Sequence, residues 1–78
     1  MHFVYILRLK DKSYYIGYSD NLRKRISEHK RGLVKTTKNL LPLILIYYSA
    51  FKNRQRAISF ERYLKEGSGF AFRNKHLT

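Results

Sequence analysis

Two aromatic-rich runs, separated only by Lys10-Asp11-Lys12, constrain this chain more than any other feature. Residues 2–9 alternate so that Phe3, Tyr5 and Leu7 share one face and Val4 and Ile6 the other, the two-residue period of a strand. Residues 13–18, Ser13-Tyr14-Tyr15-Ile16-Gly17-Tyr18, read as a second strand, and the polar turn between them makes a β-hairpin. Gly17 inside that strand marks a bulge or a place where another group approaches the backbone closely.

After the hairpin the periodicity changes. Ser19 and Asp20 are helix-start residues, able to accept from the free N–H groups of a first turn. The spacing predicts a helix running to about Arg31 and stopping at Gly32, with Leu22 and Ile26 as its apolar anchors. Arg25 and His29 lie one turn apart on the stripe beside those anchors. Residues 33–42 form a basic loop carrying Lys35, Thr36, Thr37 and Lys38. The nearly continuous apolar run over 43–49 suits a central strand buried on both faces. Asn53 caps a second helix through about Lys65, with Ala57, Phe60 and Leu64 as its core stripe and Glu61 inside it. Gly67-Ser68-Gly69 breaks that helix, and Phe70 to Leu77 reads as a last short one. The order β-β-α-β-α-(α) is an α+β class, a small three-stranded antiparallel sheet flanked by helices, with residues 1–78 as one domain.

Composition bounds the partners. A chain of 78 residues buries only about 60–65% of its unfolded surface, so seven Tyr and five Phe must supply much of a thin core. The absence of cysteine excludes disulfides and thiolate metal sites. No run approaches the roughly 20 apolar residues of a membrane span, and the first residues lack a basic leader and a cleavage site, so the expected location is the cytoplasm. Seventeen Lys and Arg against five Asp and Glu give a formal charge of +12, a field that points to a polyanion. The cations run along the whole chain rather than down one amphipathic stretch, which favours nucleic acid over a membrane surface.

Three sets of residues are candidates for chemistry, each with a plainer alternative. Glu61, a carboxylate on a core-facing stripe, is either paired with a neighbouring cation or a metal ligand. Arg25 and His29 are either a phosphate clamp with a proton carrier beside it, or part of a solvated basic face with Arg23 and Lys24. Tyr5 and Tyr15, on adjacent strands, are either core aromatics or phenols that orient water; a phenol with its ordinary pKa near ~10 needs help to act as a base.

Taken together, these residues resemble the GIY-YIG nuclease superfamily over nearly the whole chain. Its two strand motifs stand here as Val4-Tyr5-Ile6 and Tyr15-Ile16-Gly17, its arginine helix as Asn21-Leu22-Arg23-Lys24-Arg25-Ile26, and its glutamate helix as Phe60-Glu61-Arg62-Tyr63-Leu64-Lys65. The look is that of the small stand-alone bacterial members, related to the nuclease domain of the excision-repair subunit. Phe3-Val4-Tyr5 lacks the leading glycine of the first motif, and Tyr18 stands where repair-type members carry a lysine. Asn74 matches a supporting asparagine near the C-terminus.

The resemblance implies a metal-dependent DNA endonuclease acting in repair or processing, with one Mg²⁺ or Mn²⁺ on Glu61 and waters in most other positions. It implies that Arg25 neutralises charge on the scissile phosphate, that Tyr5 or Tyr15 deprotonates or orients the attacking water, and that His29 assists. Gly17 would let backbone pack tightly behind the second tyrosine. Gly17, Tyr18, Lys24, Lys35, Lys38 and Asn74 are the expected substrate contacts. RNA stays open as a substrate, as does a homodimer or a partner protein. The alternative function is a nucleic-acid-binding module that does not cut, or that cuts only with a partner.

Overall fold

The computed structural model describes residues 1–66. It contains β1 (His2–Arg8), β2 (Tyr14–Ser19), α1 (Leu22–Lys30), a 3₁₀ turn (Lys38–Leu40), β3 (Ile44–Phe51) and α2 (Arg54–Lys65). The α+β class, the antiparallel sheet of three strands and the order β-β-α-β-α follow the sequence expectation. The expected break at Gly67-Ser68-Gly69, the last helix and Asn74 lie outside the described residues.

The strand order is β2-β1-β3, so β1, not the apolar run of β3, is the central strand. A bulge lets this apolar run serve an edge strand. Tyr47 pairs with Ile6 but Leu45 pairs with Leu7, leaving Ile46 as an extra residue. Leu45 therefore packs with Tyr5 and Leu7, while Ile46 and Tyr47 both pack on the opposite face with Val4 and Ile6. Consecutive apolar residues serve both faces from an edge position, and Ile44 and Tyr48 remain largely exposed. The sequence pattern of a doubly buried strand and that of a bulged edge strand are the same.

β1 thus divides the interior into two cores. Val4, Ile6 and Ile16 pack against Ala57 and Leu64 of α2. Tyr5, Leu7 and Leu9 pack against Ile26 of α1 and Leu43. A fully buried Leu or Ile contributes about 1.5–3 kcal/mol, so the few completely enclosed side chains of β1 account for much of the stability a domain this small can have.

Both helices begin on asparagine. The Asn21 side chain accepts from Lys24 N (3.1 Å) and that of Asn53 from Arg56 N (3.1 Å). Asn21 replaces the expected caps Ser19 and Asp20; the Ser19 hydroxyl accepts from Asn21 N instead (3.0 Å), shaping the turn before the helix. Helix α1 closes with Gly32 at φ +74°, where Gly32 N donates to His29 O and Leu33 N to Glu28 O, a Schellman closure. That reversal returns the loop across the end of α1, with Val34 and Thr37 buried beneath it.

Candidate active site

The two motif tyrosines, the arginine helix and the returning loop meet on the α1 face of the sheet. Tyr5 is at the centre of β1, opposite Gly17 on one side and Tyr48 on the other. Its ring lies directly across Gly17. A Cβ at Gly17 would collide with the Cζ and oxygen of the Tyr5 ring and stand 2.9 Å from its Cε1. Gly17 is therefore buried beneath the first tyrosine rather than packed behind the second, and it receives a ring where a substrate contact had been expected. The close-approach reading of this glycine holds, and the bulge belongs to β3.

The Tyr5 hydroxyl is hydrogen-bonded to His29 Nε2 at 2.9 Å, and His29 Nδ1 to Thr37 Oγ1 at 2.9 Å. His29 and Thr37 are both fully enclosed, and Tyr5 is 1% exposed. Tyr15, half-buried on the neighbouring strand, presents its ring to the same imidazole, with centroids 5.1 Å apart and planes at 64°. The rings of Tyr5 and Tyr15 are 6.3 Å apart. Tyr5, Tyr15 and His29 form one aromatic cluster, contributed by the three successive elements β1, β2 and α1.

Electrostatics separate the members of this cluster. Burial pushes the Tyr5 phenol up to about 12, an effect partly offset by the neighbouring Arg25 guanidinium and augmented by Tyr15 and by the Glu61 carboxylate. Burial, and then the positive charge of Arg25, lower the pKa of His29, with Glu28 acting weakly in the opposite sense. Both shifts favour the uncharged forms, the neutral imidazole and the protonated phenol. Arg25 is partly exposed and its guanidinium is steadied by Glu28 one turn on, at 3.2 Å.

Glu61 projects from α2 with its side chain 21% exposed, and Lys65 Nζ meets its Oε2 at 3.2 Å. It is near enough to Tyr5 to act on the phenol. Among the described residues no group of three or more His, Cys, Asp or Glu side chains converges as a metal cage. A partly exposed carboxylate with, among the described residues, one oxygen in an ion pair fits a largely hydrated Mg²⁺ or Mn²⁺, which needs few protein ligands.

The remaining expected residues divide. Lys24, Lys35 and Lys38 are exposed cations on α1 and the following loop and turn, free to meet phosphates. Tyr18 belongs to the opposite face, where its hydroxyl bonds His2 Nδ1 at 2.8 Å and the two rings stack. Thr37 was missed by sequence reading; within a basic loop nothing in its spacing marks it, and only the closure after His29 brings it inward.

A family model for the GIY-YIG catalytic domain matches residues 1–75. A UPF0213 protein of Clostridium perfringens is 43% identical over 67 residues, which make up 85% of this chain and 72% of that one. The UPF0213 protein YazA of Bacillus subtilis is 38% identical over 66 residues, 83% of this chain and 67% of that one. Among solved structures, the solution NMR structure of a UPF0213 protein from Bacillus halodurans superposes with a TM-score of 0.61 at 34% identity, covering 94% of this chain and 79% of that one. With the motif tyrosines, Arg25 and His29 gathered on one face and the family model spanning nearly all of its length, the chain belongs to the GIY-YIG family of nuclease domains.

Proposed function

We propose that this chain is a metal-dependent endonuclease that hydrolyses phosphodiester bonds in DNA, acting in the cytoplasm in DNA processing or repair. The observation that carries the reading is the single cluster of Tyr5, Tyr15 and His29 with Arg25 beside it, since phosphoryl chemistry needs a fixed cation and a water-orienting group within one site. No helix among the described residues is long and apolar enough to cross a membrane, and the charge of +12 supplies attraction for a polyanion at any point of approach. RNA is a substrate class the same chemistry serves.

In this reading Arg25 neutralises charge developing on the scissile phosphate. Its ion pair with Glu28 fixes the side chain before substrate arrives, which is what makes a guanidinium useful in a transition state. Tyr15, less enclosed than Tyr5 and without the Tyr5–His29 hydrogen bond, is the phenol that orients the attacking water. Tyr5 keeps its proton and acts as a hydrogen-bond donor or as a support, because its pKa near 12 makes it a poor base. Lys24, Lys35 and Lys38 hold the backbone without reading sequence. Glu61 would hold one Mg²⁺ or Mn²⁺, which supplies positive charge at the phosphate and stabilises the leaving oxygen.

Two observations favour a second reading, a nucleic-acid-binding module that does not cut, or that cuts only with a partner or a second copy. Lys65 already occupies one oxygen of Glu61, and the lysine expected after the second motif is Tyr18, turned to the other face. A cleavage assay on plasmid and branched oligonucleotides, with Mg²⁺, Mn²⁺ or EDTA, separates the two. Metal-dependent turnover by the chain alone supports the nuclease, and salt-sensitive binding without turnover supports the module.

A further inference from the structure

We propose that the groove between α1 and β3 is a binding site for an unpaired nucleotide: its base lies on the Tyr48 ring, and the phosphates on either side of it meet Arg23, Lys30 and Arg31. The groove holds about 460 Å³, within the range of small-ligand sites. Its floor is apolar, made by Leu22 and Ile26 of the helix and Leu45 of the strand. Tyr48 lines it on the sheet side and is 55% exposed, with Phe3 beside its ring at a centroid distance of 6.4 Å.

The helix side is cationic. Arg23 and Lys30 are about two turns of α1 apart and Arg31 caps the helix, so the three charges spread over about 12 Å of the axis. All three are exposed, and among the described residues none of them enters an ion pair; the one acid of α1, Glu28, pairs with Arg25. No residue lining the groove is acidic, and β3 carries no charged residue along its whole length. Like charges gathered without a counter-charge favour a polyanion. A second copy of this chain, at +12, would bring more of the same sign.

A polyanion alone makes no use of an apolar floor or an exposed ring. A single-stranded nucleotide uses both, because every base has a π-face and stacks on an aromatic side chain whatever its sequence. A duplex keeps those faces inside its own stack, so Tyr48 distinguishes unpaired from paired bases. The part of this groove in cleavage rests on the nuclease reading; its occupant does not. Tyr48 is the β3 partner of Tyr5, and α1 serves both regions. Arg25 and His29 lie on its flank toward Tyr5 and Tyr15, whereas Arg23 and Lys30 lie on the flank over β3. The substrate class is then nucleic acid with an unpaired segment beside the cut.

The test is fluorescence anisotropy in EDTA, using the full chain and three labelled probes: a single-stranded DNA oligonucleotide, the duplex of the same sequence, and an abasic strand of the same length. EDTA prevents metal-dependent cutting, so binding is read alone. Tyr48→Ala should weaken single-strand binding at least about fivefold, the loss of one stacked base, and leave the duplex and the abasic strand within about twofold. Tyr48→Phe, which keeps the ring, should bind like the wild type. Lys30→Gln should weaken the single strand and the abasic strand alike and lower the salt slope by about 0.7.

Unchanged single-strand affinity in Tyr48→Ala overturns the site, and so does an equal loss on all three probes. A changed oligomeric state in light scattering with unchanged affinity makes the groove a protein interface and overturns it too. If Tyr48→Ala does not fold, photocrosslinking of the wild type decides: an iodouracil-substituted strand should attach to Tyr48, and attachment only elsewhere overturns the site. A chain that binds as expected and cuts nothing loses the nuclease reading and keeps this site.

Discussion

The two faces of the sheet are built from the same strand by the same alternation, yet they do different work. On the α2 side, Val4, Ile6, Ile16, Ala57 and Leu64 form an apolar core whose contribution is burial. On the α1 side, Tyr5 takes the position an aliphatic residue would occupy and is answered by His29 and Thr37, buried polar groups that each have a partner. A satisfied polar network contributes little more to stability than an apolar core, but it fixes orientation, and a half-satisfied one is costly. Both faces bury apolar side chains, but the polar cluster to which the proposed chemistry is assigned lies on the α1 face, with Glu61 of α2 acting on Tyr5, and β1 joins the two. Substitutions should therefore sort by face.

The largest expected effect is on the chemistry. Arg25→Ala should lower kcat by about 10²–10³-fold, the usual loss for a transition-state donor, while the thermal midpoint falls little because its surface ion pair is worth only about 0–1 kcal/mol. Steady-state cleavage kinetics with a melting curve on the same sample check this; a parallel collapse of both would remove the division between faces. Next is Leu64→Ala, expected to cost about 2–5 kcal/mol in denaturant unfolding while the activity per folded molecule is retained. Loss of kcat without loss of stability there would break the comparison from the other side.

Gly17→Ala sharpens the boundary, because its new methyl enters the space of the Tyr5 ring. Overpacking of this kind costs about 1–3 kcal/mol, and the Tyr5–His29 contact should be displaced with it, so both stability and kcat fall.

The smallest effect is a pH dependence. His29 has a folded pKa below its unfolded value near ~6.5, so the unfolded chain binds the extra proton first. The stability held by the neutral imidazole is complete above that unfolded value and is lost as pH falls toward the folded one. Tyr5 is the mirror case: stability declines as pH rises from the ordinary phenol value toward about 12. Denaturant unfolding across pH, repeated in His29→Gln, should show the acid-side loss diminished in the variant.

Much of this was legible in the sequence because it is local. The hairpin follows from a two-residue period and a polar turn, the end of α1 from Gly32, and the start of α2 from Asn53. Arg25 and His29 share a helix face by spacing alone. What was not legible depends on pairing across the chain. The run over 43–49 does not reveal that β3 lies at an edge with one extra residue at Ile46. Gly17 announces a close approach but not that the first tyrosine makes it. Ser19, Asp20 and Asn21 are three consecutive capping types, and only the course of the backbone selects the last. Thr37 becomes part of the site through a loop closure that no periodicity encodes.

The most direct test of the central claim is a cleavage assay on supercoiled plasmid, with single-stranded and branched oligonucleotides alongside, in Mg²⁺, Mn²⁺ and EDTA, using wild type and Glu61→Ala purified identically. The wild type is expected to turn over substrate only with metal, not in EDTA, and Glu61→Ala to lose cutting with DNA binding and melting temperature preserved. Unchanged cutting by Glu61→Ala, or turnover that persists in EDTA, would contradict that claim.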